Sequence, residues 1–146
     1  METKKILIVD DEFNTRFAID FMLANAGYKT TSAEDGIAAF NLVKKSLTTN
    51  NLFDLVITDI KMPKMTGIEL IEEMKKANIR VPVLVITGFG DKQTLIELLR
   101  SGCDDYLDKP FSPDDLLASV TRVLSKHGKI VEALRKFNEH HPNGNP

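Results

Sequence analysis

A single cysteine, Cys103, stands among 146 residues, so no internal disulfide can form and the chain reads as the product of a reducing compartment. No apolar run approaches the ~18 residues that a membrane-spanning helix needs. The opening Met1-Glu2-Thr3-Lys4-Lys5 leads straight into a strand pattern without an apolar signal segment. An excess of one charge is also missing: 19 lysines and arginines against 21 acids leave a net charge of −2 and a pI near 5.9. Such a balance gives no field for gripping a phosphate backbone, which argues against direct nucleic-acid binding. His127, His140 and His141 have no acid or cysteine at ligand spacing to complete a zinc site. Gly88-Phe89-Gly90 lacks the third glycine of a dinucleotide fingerprint. There is no internal repeat and no low-complexity segment. The expectation is one soluble, cytoplasmic domain, of a size that buries roughly 68 to 70% of its unfolded surface.

What is present is an alternation, five times over, of short apolar runs and amphipathic stretches. That pattern predicts a doubly wound α/β domain with a five-stranded parallel sheet in the order 2-1-3-4-5 and helices on both faces. The strands are expected at 5–10, 28–32, 52–59, 81–87 and 104–108. The first helix, about 14–26, is expected to bury Phe17, Ala18, Phe21 and Met22 and to stop at Gly27. Ser32 followed by Asp35 is a looser cap signal for the second. Thr66 with Glu69 fits a capping box, Met65 and Leu70 fit a hydrophobic staple, and Leu70, Ile71, Met74 and Ala77 share one face of the third helix. The fourth, 91–101, stops at Gly102. Ser112-Pro113-Asp114-Asp115 opens the fifth, with Phe111 and Leu116 as its staple and Leu116, Leu117, Val120, Val123 and Leu124 as its buried stripe. Residues 1–126 thus form the domain. Residues 129–140 keep an apolar spacing at Ile130, Ala133, Leu134 and Phe137, so 127–146 are expected to be a helical extension or linker with a frayed tail.

The chemistry lies at the strand ends. Ile6 to Val9 stops at Asp10-Asp11, Leu55 to Thr58 at Asp59, Val83 to Ile86 at Thr87, and Tyr106-Leu107 runs into Asp108-Lys109-Pro110. In an open α/β sheet, ligands bind outside the carboxyl ends of the strands where strand order reverses, here between the first and third. Asp10, Asp11 and Asp59 meet there, and three carboxylates cannot all stay ionised without a counter-charge. A hard divalent cation with open water positions, Mg²⁺, suits them. Lys109 adds a positive charge and Thr87 a hydroxyl donor, together able to hold the oxygens of a phosphoryl group. Asp59 is placed as the nucleophile that takes it up as an acyl phosphate.

In this order and spacing, five motifs resemble the response-regulator receiver domains of two-component signalling, the chemotaxis-regulator-like modules. They are Ile-Val-Asp10-Asp11-Glu, Asp59-Ile-Lys-Met-Pro63-Lys-Met-Thr-Gly67, Ile-Thr87-Gly88, Tyr106, and Lys109-Pro110-Phe111, spread over about residues 4–126. The resemblance implies transfer to Asp59 from a phosphohistidine on a sensor histidine kinase or a histidine phosphotransfer protein. It implies Mg²⁺ held by Asp11, Asp59 and the backbone carbonyl of Lys61, with Asp10 acting through water. It further implies a switch made of Thr87 and Tyr106 and a cis peptide between Lys109 and Pro110. The face formed by residues 91–126 would then change shape and be read by a partner, an output domain or a second copy of the chain. Such a module is no enzyme in the usual sense, since it catalyses only its own phosphorylation and dephosphorylation. Lys61, two residues after the acceptor, is similar to the choice made in the sporulation phosphorelay regulator. With Phe89, it is expected to lengthen the life of the phosphoaspartate.

Blander readings stand beside these. Asp10-Asp11 also suits a capping acid pair, Thr87 an ordinary strand residue, Tyr106 a packed aromatic and Cys103 a small core residue. Two other functions compete: a haloacid-dehalogenase-like phosphohydrolase and an interaction module that is never phosphorylated. The first wants its nucleophile in an Asp-x-Asp run, and Lys61 stands where the second acid belongs.

Overall fold

Residues 3–88 and 92–125 are described by the computed structural model of the chain. Five strands, β1 (Lys5–Val9), β2 (Lys29–Ala33), β3 (Leu55–Asp59), β4 (Val83–Thr87) and β5 (Asp105–Asp108), pair in parallel in the order β2-β1-β3-β4-β5. Between and after them run α1 (Phe13–Asn25), α2 (Gly36–Thr48), α3 (Gly67–Lys76), α4 (Lys92–Ser101) and α5 (Pro113–Leu124). The expected fold class and strand order are the observed ones. The proposed extension over 127–146 lies outside the described residues.

The central strands are apolar on both faces because helices cover both. Leu7, Val9, Val56, Val83 and Val85 belong to one core with Ala39 and Val43 of α2, Leu70, Ile71 and Met74 of α3, and Leu98 of α4. Their alternates Ile6, Ile8, Leu55, Ile57, Leu84 and Ile86 form a second core with Ile19 and Leu23 of α1 and Leu116, Val120 and Val123 of α5. A two-residue period thus sorts one strand's side chains into two cores. Each fully buried Leu or Ile contributes roughly 1.5–3 kcal/mol relative to exposure.

Most caps are as expected. Thr66 and Glu69 make the capping box of α3, and Ser112 makes one with Asp115 behind Pro113 at the start of α5. Gly27 and Gly102, which follow α1 and α4, carry positive φ of 94° and 83°. The cap of α2 differs: Asp35, not Ser32, accepts the Ala38 amide at 2.8 Å. Ser32 is still in β2, which is one residue longer at that end than expected.

The largest correction concerns α1. Phe17, Ala18 and Phe21 are exposed, Met22 is half-buried, and Ile19 and Leu23 are the residues that reach the sheet. Phe17 and Ile19 are two positions apart, about 200° around the helix, so burying one pair exposes the other. Both sets keep a four-residue spacing, and spacing alone could not choose between them. Ala77 is likewise exposed at the end of α3, where Ile79 supplies the buried contact. β3 starts at Leu55 because Leu52 is exposed and the Asp54 carboxylate instead accepts the Lys5 amide at 2.8 Å.

Candidate functional site at the carboxyl edge of the sheet

Parallel pairing delivers the end of every strand to the same edge, and the β1/β3 junction is where connections diverge to opposite faces. Asp10 follows β1 and is buried, with its amide donating to the Ala33 carbonyl at 3.2 Å and its Oδ1 accepting the Glu12 amide at 2.8 Å. Asp11 beside it is exposed. Asp59 ends β3; its Oδ1 accepts the Ile60 amide at 2.7 Å, and its Oδ2 lies 3.0 Å from Lys109 Nζ. The same ammonium stands 3.7 Å from Asp10 Oδ2. Asp10, Asp11 and Asp59 each offer a carboxylate oxygen within 4.8 Å of the other two.

Charge and burial oppose one another here. Burial pushes the Asp10 carboxyl above its ordinary value of 3.8, aided by the charges of Asp59 and Asp11 and opposed by the Glu12 amide and Lys109. Burial alone would lower the Lys109 ammonium, but the hydrogen bond and charge of Asp59, with the charges of Asp10 and Glu12, more than offset it and raise its pKa. One ammonium facing three carboxylates leaves excess negative charge in a half-dry cleft. The set suits a hard divalent cation bound through oxygen.

Thr87 is buried at the end of β4, where its carbonyl accepts the Lys109 amide at 2.8 Å. In the β3/β4 register Asp59 stands opposite Ile86, so Thr87 is one residue from the Asp59 row. Tyr106 lies in β5, half-buried against the core beneath α2, α3 and α4. Lys109-Pro110 is a cis peptide. Lys61 is exposed on the turn after Asp59. Phe89 falls outside the described residues.

Gly67 closes the motif that follows Asp59 in the sequence, but nothing in that spacing shows how close the β3–α3 turn comes to the Asp59 backbone. The Gly67 amide donates to the Ile60 carbonyl at 2.9 Å, and a Cβ at Gly67 would lie 2.1 Å from the Asp59 carbonyl oxygen. Only glycine lets α3 begin against the backbone of that aspartate. Gly36 plays the matching part at the start of α2, where a Cβ would meet the Met65 carbonyl oxygen at 2.6 Å. Both follow a helix cap in the sequence, a position that gives no hint of a close approach.

A family model described as response regulator receiver domain matches residues 6–121. The chain belongs to this family. Receiver domains are phosphoacceptor modules of two-component signalling, and that is the function class of this chain. Among relatives, it is 40% identical over 132 residues to a probable transcriptional regulator, ycf27, of Guillardia theta, covering 90% of this chain and 50% of that one. It is 38% identical over 120 residues to the regulatory protein AtoC of Escherichia coli (strain K12), covering 82% of this chain and 25% of that one. The chain thus spans half or less of these curated relatives. Among solved structures, a CheY-like response regulator receiver domain protein from Methanospirillum hungatei JF-1 superposes with a TM-score of 0.77 at 29% identity, covering 86% of this receiver domain and 97% of that chain.

Proposed function

We propose that Asp59 is the phosphoryl acceptor and that this receiver domain takes its phosphoryl group from a phosphohistidine on a sensor kinase or phosphotransfer protein. The observation that carries the reading is the Asp59 carboxylate held 3.0 Å from Lys109 and beside the Asp10-Asp11 pair at the open edge of the sheet. An Asp59 oxygen attacks phosphorus in line, the new O–P bond forms as the N–P bond breaks, and the histidine nitrogen leaves and is protonated. Lys109 is within reach of a phosphoryl oxygen, and the Thr87 hydroxyl is a donor for another. Asp11, Asp59 and the Lys61 carbonyl would hold Mg²⁺, with Asp10 acting through water; bound there, the ion offsets the carboxylate charge and that developing on the phosphoryl oxygens.

Thr87 and Tyr106 form the switch in this reading, and residues 91–126 the face that a partner, an output domain or a second copy reads. Phe13, Phe17 and Phe21 are 60–65% exposed along α1, starting three residues after Asp10. An apolar strip of that kind favours a protein donor over a small metabolite. The chain catalyses only its own phosphorylation and dephosphorylation. A cytoplasmic place goes with this reading of a two-component receiver domain; among the described residues, no helix is long and apolar enough to cross a membrane.

The test is a small-molecule phosphodonor with Mg²⁺, read by intact mass. One phosphoryl group should appear on wild type and none on Asp59→Asn. Sustained turnover of a phosphoester would instead favour a phosphohydrolase, and no uptake an interaction module.

A further inference from the structure

The helix that follows the acid pair starts without the usual support. Glu12, at the N-cap of α1, makes no side-chain capping bond, whereas α2, α3 and α5 are all capped by Asp, Thr or Ser. Arg16 supplies a bond of a different kind. Its Nη1 donates to the main-chain carbonyl of Asp10 at 2.7 Å, across the turn, while its own amide bonds the Glu12 carbonyl at 3.1 Å. The guanidinium lies over the Phe13 ring, 5.7 Å from the centroid, and Phe13 in turn stacks on Phe17 at 6.1 Å. Ring and carbonyl together hold the long arginine side chain in one place.

The Asp10 carbonyl belongs to the peptide plane that joins Asp10 to Asp11. Because that plane is rigid, fixing its oxygen fixes the direction in which the chain leaves Asp10 and so the position of the Asp11 Cα. The Asp10 amide is held by Ala33 and its carboxylate by Glu12, which leaves this carbonyl as the remaining point of rotation. A charge-assisted bond at 2.7 Å is well suited to closing it.

We propose that Arg16 is a positioning residue, which locks the Asp10–Asp11 peptide so that both carboxylates converge with Asp59 on a divalent cation. This rests on the metal reading given above. It touches neither ion nor phosphoryl group; it acts through the main chain, much as outer partners of metal ligands do when their loss weakens binding.

Arg16→Met keeps the aliphatic stem and removes the donors, while Arg16→Lys retains a cationic donor. Three readouts on the whole chain separate positioning from general stability: hydrogen exchange at the Glu12 amide without metal, Mg²⁺ affinity by calorimetry, and the metal-free melting temperature. In Arg16→Met, the Glu12 amide should exchange faster and the Mg²⁺ dissociation constant should rise roughly tenfold. Melting should move by less than about 4 °C, and Arg16→Lys should recover most of both losses. Unchanged exchange and affinity in Arg16→Met would overturn the proposal. So would a broad loss of protection across α1, with a large fall in melting that lysine does not repair. If wild type itself binds no Mg²⁺, the metal reading fails, and exchange at Glu12 alone then decides whether Arg16 holds the turn.

Discussion

At Asp10, burial and the neighbouring carboxylates both work against ionisation. Its raised pKa means that the folded chain holds the proton more tightly than the unfolded chain, so ionising it above that pKa costs folding stability. Without divalent cations, Asp10→Asn should therefore be more stable than wild type at pH 7. The advantage should shrink as pH falls through the raised pKa toward the ordinary value of 3.8. Denaturant melts at the two ends of that window check it, and a variant less stable than wild type at pH 7 would contradict it. Mg²⁺ reverses the balance: at ten times its dissociation constant it should stabilise wild type by about 1.4 kcal/mol. Asp11→Ala should lose most of that gain. Lys61 belongs to the same scale: if its ammonium at the rim lengthens the life of the proposed acyl phosphate, Lys61→Asn should dephosphorylate faster than wild type. Equal or slower decay would remove Lys61 from that role. The acid pair, Asp59, Thr87 and Lys109 were legible in the sequence because each stands where an apolar run stops. Gly67 and Arg16 were not, since a close approach to the Asp59 backbone and a side chain reaching back six residues exist only once the turn is folded.

Among the elements, α3 and α5 were read almost whole, because Thr66 with Glu69, and Ser112 with Pro113 and Asp115, fix their starts by local chemistry. The face of α1 was not legible. Phenylalanines at 13, 17 and 21 present as regular a stripe as Ile19 and Leu23, and the larger side chains look like the better core. Tertiary packing chose the smaller pair, which shares a core with Ile6 and Ile8 of β1 and Leu116 and Val120 of α5. Leu23→Ala should therefore cost about 2–5 kcal/mol, and Phe21→Ala should stay within about 0.5 kcal/mol. The opposite order in urea melts would return α1 to the orientation expected from its sequence.

For the molecule as a whole, the fold was the most legible part, since five apolar runs separated by amphipathic stretches leave few topologies open once crossovers are right-handed and short. The order β2-β1-β3-β4-β5 then puts the acids, the hydroxyl and the lysine on one edge without further instruction. At that edge, Asp59 is the proposed phosphoryl acceptor. Treating the phosphorylated chain with borohydride reduces an acyl phosphate on an aspartate to homoserine, and peptide mass mapping then shows where the conversion occurred. Conversion is predicted at Asp59 alone, in a fraction that follows the phosphoryl uptake. Conversion at another acid, or phosphoryl uptake with Asp59 unconverted, would contradict it.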